Sequence, residues 1–285
     1  MTLYYFFIFI FGLLLGSFLN VVIYRLPKMM EQEWIQEMHL FLAEKPHSIN
    51  LAPTFAQDTA FNLCWPRSFC QHCKHTLTWW QNIPLISYLI LKAKCFYCHA
   101  RISPRYFLIE VLTAIILLSC IYQFGVTWQG FWAMFFSLIL IILTFIDIDH
   151  QILPDSLTLP LMWLGLILSL FGLFIPSNTA IIGACLGYLS LWSIYWLFKL
   201  ITKKEGMGYG DFKLSAALGA WLGWQAFPSI LFISALLGTI VGLGLRAFKR
   251  LDRDQPIPFG PFLAFSGWVN LMWGDQIKLI YFNLF

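Results

Sequence analysis

Residues 138–150 read Leu138-Ile-Leu-Ile-Ile-Leu-Thr-Phe-Ile-Asp-Ile-Asp-His150, an apolar run that ends in two carboxylates. The apolar stretch extends back to about residue 127, and a bilayer-spanning helix needs about 20 mostly apolar residues. Ionisable groups are costly in a membrane, so those at the end of such a run are candidates for function. The stretch therefore predicts a membrane helix with Asp147 and Asp149 at its edge.

The rest of the chain has the same character. Its 285 residues are 59% hydrophobic and only 11% charged, with a mean hydropathy of +0.73, whereas soluble domains carry about 25% charged residues. The composition predicts an all-α polytopic membrane protein. Eight segments are predicted to span: 3–24, 104–124, 127–147, 156–175, 179–199, 212–225, 228–248 and 258–275.

The basic residues predict the orientation of these spans. Seventeen of the 18 Lys and Arg residues lie in or at the edge of alternate connecting segments, and such residues accumulate on the cytoplasmic side. We therefore expect a periplasmic N-terminus and no cleavable signal peptide. The cytoplasmic segments are predicted to be 25–103, 148–155, 200–211 and 249–257.

Three domains follow from this arrangement. Residues 1–24 form the first membrane helix, residues 25–103 form a cytoplasmic domain, and residues 104–285 form a seven-helix membrane domain. Apolar residues at three- and four-residue steps within 30–44 indicate an amphipathic helix in the cytoplasmic part. Pairs of glycines at spacing four within the spans predict close helix packing.

Four of the seven cysteines form two C-x-x-C pairs, Cys70 with Cys73 and Cys95 with Cys98. This pattern indicates a zinc-ribbon-like site, although free thiols or redox pairs are alternatives. Four protein ligands leave a zinc ion no open position, so the metal would be structural rather than catalytic. It would hold together a domain too small to be stable by burial alone.

Asp147 and Asp211 are predicted to lie at the same membrane depth, because each stands at the cytoplasmic end of a span. Two close carboxylates share a proton, so one can activate water while the other protonates a carbonyl. Taken singly, Asp211 could instead cap the sixth span, and Asp147 could lie at a solvated helix end. Gly208 and Gly210, beside Asp211, would let a substrate strand approach.

Three other carboxylates are candidates for structural or accessory roles. Asp149 is two residues from Asp147 and therefore points elsewhere on a helix. Asp155 follows a proline and is expected to cap the fourth span. Glu110 would either pair with Arg105 or line the active cavity.

Two other function classes fit parts of the pattern. A transporter or proton channel could use paired carboxylates, but no internal repeat is visible and both aspartates lie at one edge rather than at the midplane. A scaffold protein could use the cysteine module to recruit a partner, with the aspartates only capping helices.

The ordered motifs resemble the type IV prepilin peptidase family, whose members are bifunctional leader peptidases and N-methyltransferases of pilus and type II secretion systems. Besides the two cysteine pairs, the matching stretches are Gly16-Ser-Phe-Leu-Asn-Val-Val-Ile-Tyr-Arg-Leu-Pro27, Asn82-Ile-Pro-Leu-Ile-Ser87, Ile102-Ser-Pro-Arg-Tyr106, Glu110, Ile146-Asp-Ile-Asp149, Leu153-Pro-Asp155, Gly206-Met-Gly-Tyr-Gly-Asp211 and Pro258-Phe-Gly-Pro261.

The resemblance implies a G-x-G-D aspartic protease of the bacterial inner membrane, with Asp147 and Asp211 as its catalytic pair. The implied substrates are prepilins and pseudopilins, cleaved after a glycine on the cytoplasmic side. The new N-terminal residue would then be methylated from S-adenosylmethionine. We expect the lipid bilayer but no nucleic acid as a partner, and the sequence places no residue at the methyl-donor site.

Overall fold

The computed structural model describes residues 2–43, 61–204, 206–248 and 257–284. The chain forms two compact units, Met1–Leu118 and Ser119–Phe285. Parts of the predicted cytoplasmic segments, residues 44–60 and 249–256, lie outside the described residues.

The first unit is built on two long helices, α1 (Thr2–Ala43) and the start of α3 (Pro104–Phe124). They approach so closely that a Cβ atom on Gly12 would stand 2.6 Å from the Cα atom of Ala114, and one on Gly16 would stand 2.6 Å from the Cα atom of Glu110. This close approach confirms the predicted role of this glycine pair in packing. The short helix α2 (Ile86–Ile90) lies in the connecting segment.

Helix α1 is longer than the predicted first span. It continues without interruption for 42 residues, although Pro27 lies inside it. The residues after Pro27 are mostly strong helix formers (Met, Glu, Gln and Leu), so nothing in the sequence stops the helix at residue 24. The predicted amphipathic helix within 30–44 is therefore the end of α1 rather than a separate element.

A buried arginine ties α1 to the cysteine module. Arg25 is only 5% exposed, and its guanidinium group donates hydrogen bonds to the carbonyl oxygens of Asn62 (2.8 Å), Leu63 (3.3 Å) and Pro66 (2.6 Å). Because these three acceptors precede the first cysteine pair, Arg25 fixes where the module begins relative to the helix.

The second unit surrounds one buried helix, α7, eleven of whose fourteen residues are buried. It packs against α5, α6 and α9, and a Cβ atom at Gly183 or Gly187 of α6 would overlap the backbone of α7. The helices of this unit are α4 (Trp128–His150), α5 (Asp155–Leu170), α6 (Ser177–Thr202), α7 (Tyr209–Leu222), α8 (Phe227–Ala247) and α9 (Gly260–Leu284).

Five helices in the described part of the chain, α1, α3, α4, α6 and α8, are long and apolar enough to cross a membrane. This confirms an all-α, multi-pass architecture, and the described residues contain isolated bridges but no strand. Each of the eight predicted spans corresponds to a helix, α1 or one of α3–α9, although α5, α7 and α9 are not among these five. Helix α7 extends only about 21 Å, short of a hydrocarbon core of about 30 Å, and α9 is kinked at Trp273.

Candidate active site

Asp147 lies in the last turn of α4 and is 5% exposed. The helix ends because Gln151 adopts a left-handed conformation (φ 55°), from which its N–H donates to the carbonyl oxygen of Asp147. Asp149, two residues on, is exposed. The prediction that Asp149 points away from Asp147 is therefore confirmed.

Asp211 lies in the first turn of α7 and is 6% exposed. Gly208, not Asp211, occupies the N-cap position, so the alternative interpretation of Asp211 as a helix cap is wrong. The carboxylate of Asp211 interacts electrostatically with that of Asp147. Two buried acidic groups from different helices, 64 residues apart in the chain, thus meet at one end of the second unit.

Gly260, the first residue of α9, completes this cluster. Its backbone N–H donates a 2.9 Å hydrogen bond to Oδ2 of Asp147. The first N–H groups of a helix have no partner within it, and the helix dipole favours an anion there. A Cβ atom at this position would stand 2.6 Å from the same oxygen. We call Asp147, Asp211 and Gly260 the aspartate site.

Sequence reasoning gave Gly260 no role, although Pro258-Phe-Gly-Pro261 was among the matching motifs. The available signal was a glycine followed by a proline, since proline favours the first helical positions. That signal predicts a helix start but not the helix it approaches. The hydrogen bond joins residues 113 positions apart.

The glycines beside Asp211 have different surroundings. Gly208 has φ −80°, and neither it nor Gly206 nor Gly210 adopts a positive φ, so no special backbone conformation is involved. Gly210 is needed for close packing, because a Cβ atom there would stand 2.7 Å from Cβ of Leu153. At Gly208 the same atom would make only an ordinary 3.8 Å contact with Oδ2 of Asp211.

Leu153 was also missed as a site residue. It is buried, and besides its contact with Gly210 its Cδ2 atom lies 3.1 Å from the Cβ position of Gly260. One side chain therefore packs against the starts of both α7 and α9. Its packing sets the distance between the elements that carry Asp211 and Gly260.

The two remaining carboxylates have structural partners. The prediction that Asp155 caps α5 is wrong, because Pro154 holds the N-cap position. Both oxygens of Asp155 instead accept hydrogen bonds from Nζ of Lys213, at 2.7 and 2.6 Å. Glu110, in the first unit, accepts a 2.9 Å hydrogen bond from the N–H of Leu85. Leu85 has φ 60°, so Glu110 holds a strained residue at the start of α2.

The four predicted cysteines come together in the first unit. Their sulfur atoms all lie within 4.8 Å of one another, and those of Cys70 and Cys98 are 3.8 Å apart. Zinc–sulfur bonds of about 2.3 Å in a tetrahedron place the sulfurs about 3.8 Å apart. The donor set and its spacing therefore fit a four-coordinate zinc ion.

Each cysteine pair lies in the same kind of loop. In each loop the N–H of the first cysteine donates a 2.9 Å hydrogen bond to the carbonyl oxygen of the residue five positions later, from Cys70 to His75 and from Cys95 to Ala100. An antiparallel bridge then closes each loop, Phe69 with Thr76 and Lys94 with Arg101. The sequence spacing predicted two knuckles, and the structure shows that they have the same backbone pattern.

The thiols of Cys70 and Cys98 differ in pKa. Burial raises the pKa of Cys70, but backbone hydrogen bonds from Cys73 and His72 outweigh this and lower it to about 6. The backbone of Ala100 lowers the pKa of Cys98, but burial and the three neighbouring thiols raise it to about 11. Four close thiols compete for protons in this way unless a cation balances their negative charge.

Two models of known protein families match the two halves of the chain. The model of the bacterial peptidase A24 N-terminal domain matches residues 10–124, and that of the type IV leader peptidase family matches residues 134–243. No solved structure matches the chain.

Three relatives carry the name prepilin leader peptidase/N-methyltransferase. The protein of Aeromonas salmonicida is 50% identical over 99% of this chain and 94% of its own length. That of Pseudomonas aeruginosa is 50% identical over 95% and 90%, and that of Dichelobacter nodosus is 49% identical over 97% and 94%. With this similarity along nearly its whole length, the chain belongs to the type IV leader peptidase family.

Proposed function

We propose that this protein cleaves the leader peptides of type IV prepilins and pseudopilins and then methylates the new N-terminal residue. The observation that carries the peptidase half is the pair of buried carboxylates, Asp147 and Asp211, which are brought to one end of the second unit by the packing of Leu153 against Gly210 and Gly260. The names of the relatives support both halves, and none of them supports a transporter or channel.

The aspartate site can carry out hydrolysis without a covalent intermediate. The two carboxylates share one proton, so one takes a proton from water while the other gives a proton to the oxygen of the scissile carbonyl. The pair titrates as a unit, so neither role belongs to one residue. The N–H of Gly260 holds Oδ2 of Asp147 and so fixes the orientation of this carboxylate within the pair.

The basic residues support a cytoplasmic location for this chemistry. Seventeen of the 18 Lys and Arg residues lie in or at the edge of the predicted cytoplasmic segments, at whose boundaries both aspartates stand. A short basic leader would stay in the cytoplasm of the bacterial cell while the apolar helix that follows it enters the inner membrane. In this arrangement the scissile bond reaches the membrane edge, where both aspartates stand.

We place the methyltransferase half in the cytoplasmic segment 25–103, which lies within the first family domain (residues 10–124), with S-adenosylmethionine as the methyl donor. Cys70, Cys73, Cys95 and Cys98 would hold a zinc ion whose role is to fix the fold of this domain. The division into a first membrane helix (1–24), a cytoplasmic domain (25–103) and a seven-helix peptidase domain (104–285) is part of the same proposal.

The two activities can be tested together on purified protein in detergent. A synthetic prepilin segment is incubated with and without S-adenosylmethionine, and the product is analysed by mass spectrometry. We expect leader removal in both cases and the added mass of one methyl group only with the donor. Absence of cleavage by folded protein would refute the peptidase assignment, and an unmethylated product in both cases would refute the methyltransferase assignment.

A further inference from the structure

Helix α2 and the loop after it expose an apolar surface beside a basic one. Ile86, Leu89 and Ile90 are 52%, 61% and 67% exposed. In the segment that follows α2, Lys92, Lys94 and Arg101 line a surface cavity of about 500 Å³. We call these six residues the α2 surface. It takes no part in the aspartate site or in the cysteine cluster.

The backbone holds the three cations close together. Lys92 and the next residue, Ala93, both adopt left-handed conformations (φ 48° and 58°), which cost energy in residues other than glycine. The carbonyl oxygen of Ala93 accepts a 2.8 Å hydrogen bond from the N–H of Ile102. Lys94 and Arg101 stand opposite each other in an antiparallel bridge, a position in which like charges repel.

Within residues 61–118, no carboxylate is paired with these three cations. Residues 61–118 contain six Lys and Arg residues but a single acidic residue, Glu110, which is buried and hydrogen-bonded to the backbone of Leu85. The structure gives Lys92, Lys94 and Arg101 no side-chain partner among the described residues. An anion in the cavity would relieve their mutual repulsion.

The position of the surface indicates where this anion comes from. The cavity is also lined by Ser103 and Pro104, and Pro104 begins α3, a helix able to cross a membrane. The surface therefore lies where the chain enters the bilayer, at the level of lipid headgroups. Exposed Ile and Leu side chains beside Lys and Arg are typical of segments that lie on an anionic membrane surface.

We propose that the α2 surface binds the phosphate group of an anionic membrane lipid through Lys92, Lys94 and Arg101, with Ile86, Leu89 and Ile90 entering the acyl boundary. Such binding would hold the cysteine module against the membrane. It goes beyond the proposed catalytic activities and does not depend on them. A basic leader peptide would be repelled by the same cations, so this is not a substrate site.

The test compares lipid binding by three full-length proteins in detergent: the wild type, the Lys92→Gln/Lys94→Gln/Arg101→Gln variant, and a charge-matched control, Lys203→Gln/Lys204→Gln/Arg246→Gln. Each is titrated with phosphatidylglycerol, phosphatidylcholine and inorganic phosphate. The zinc content is measured in parallel, because Lys94 and Arg101 flank the second cysteine pair.

We expect the wild type and the control to prefer phosphatidylglycerol over phosphatidylcholine. The affinity of the first variant for phosphatidylglycerol should fall roughly 100-fold, since each cation near an anionic surface contributes about a five-fold factor. Its zinc content should not change.

Several results would overturn the proposal. Equal binding of both lipids by the wild type would show that the surface does not recognise anionic headgroups. An equal loss in the control would show that only overall charge matters. Phosphate binding as tight as lipid binding would identify a soluble anion instead. Loss of zinc from the first variant would mean that the cations serve the metal cluster.

Discussion

Replacing Gly260 with alanine should slow peptide cleavage without unfolding the protein. The new methyl group would stand 2.6 Å from Oδ2 of Asp147 and 3.1 Å from Cδ2 of Leu153. The first distance is too short for any carbon–oxygen contact, so the carboxylate or the start of α9 must move. Either movement lengthens the 2.9 Å hydrogen bond between the Gly260 N–H and Asp147.

The expected size of the effect follows from that hydrogen bond. Hydrogen bonds to charged groups contribute about 1.5–3 kcal/mol, and displacing a catalytic group by about 1 Å costs about 100-fold in rate. We therefore expect kcat to fall about 100-fold. KM should change little, because Gly260 contacts the carboxylate rather than the substrate.

The assay is leader removal from a prepilin segment over a range of substrate concentrations, with thermal unfolding measured in parallel. Gly244→Ala is the matched control, since a Cβ atom there meets nothing within 4 Å, and its kcat should equal that of the wild type. A folded Gly260→Ala protein with the wild-type kcat would refute the idea that this N–H positions Asp147.

Three further predictions concern packing, the metal cluster and the surface ion pair. Gly219→Ala should destabilise the second unit by about 1–3 kcal/mol, because its methyl group would overlap the backbone of α6; a melting temperature as high as that of Gly244→Ala would contradict this. Cys95→Ser should lower the zinc content and make residues 61–103 sensitive to protease, whereas Cys185→Ser should do neither; zinc retained by the first variant would exclude the four-cysteine site. Asp155→Asn breaks an exposed ion pair worth at most about 1 kcal/mol, so cleavage should continue at nearly the wild-type rate, and a large loss in a kinetic assay would mean that Asp155 takes part in catalysis.

The membrane helices could be predicted well where an apolar run has a clear boundary. The predicted span 104–124 coincides with α3, which starts at a proline. The prediction failed for the end of α1, because hydropathy marks where a segment leaves the membrane and not where its helix ends. Helix α7 matches the predicted segment 212–225, but its burial by neighbouring helices could not be predicted, because hydropathy does not distinguish protein contacts from lipid contacts.

The two carboxylates of the aspartate site could be predicted, but the rest of the site and its geometry could not. Asp147 and Asp211 stand out because carboxylates are rare at the ends of apolar segments. Gly260 acts through its backbone, and Leu153 acts through its shape, so neither carries a chemical signal in the sequence. Both contacts depend on how the ends of α4, α7 and α9 come together. The cysteine spacing, in contrast, specifies a local loop and therefore predicted its cluster directly.

The two-aspartate mechanism is tested most directly by the rate of prepilin cleavage by Asp147→Asn and Asp211→Asn, compared with Asp149→Asn as a control. Asparagine keeps the shape of the side chain but can neither accept nor supply the shared proton. We expect both site variants to fold and fail to cleave, while Asp149→Asn cleaves normally. Cleavage at the wild-type rate by either site variant would contradict the two-aspartate mechanism.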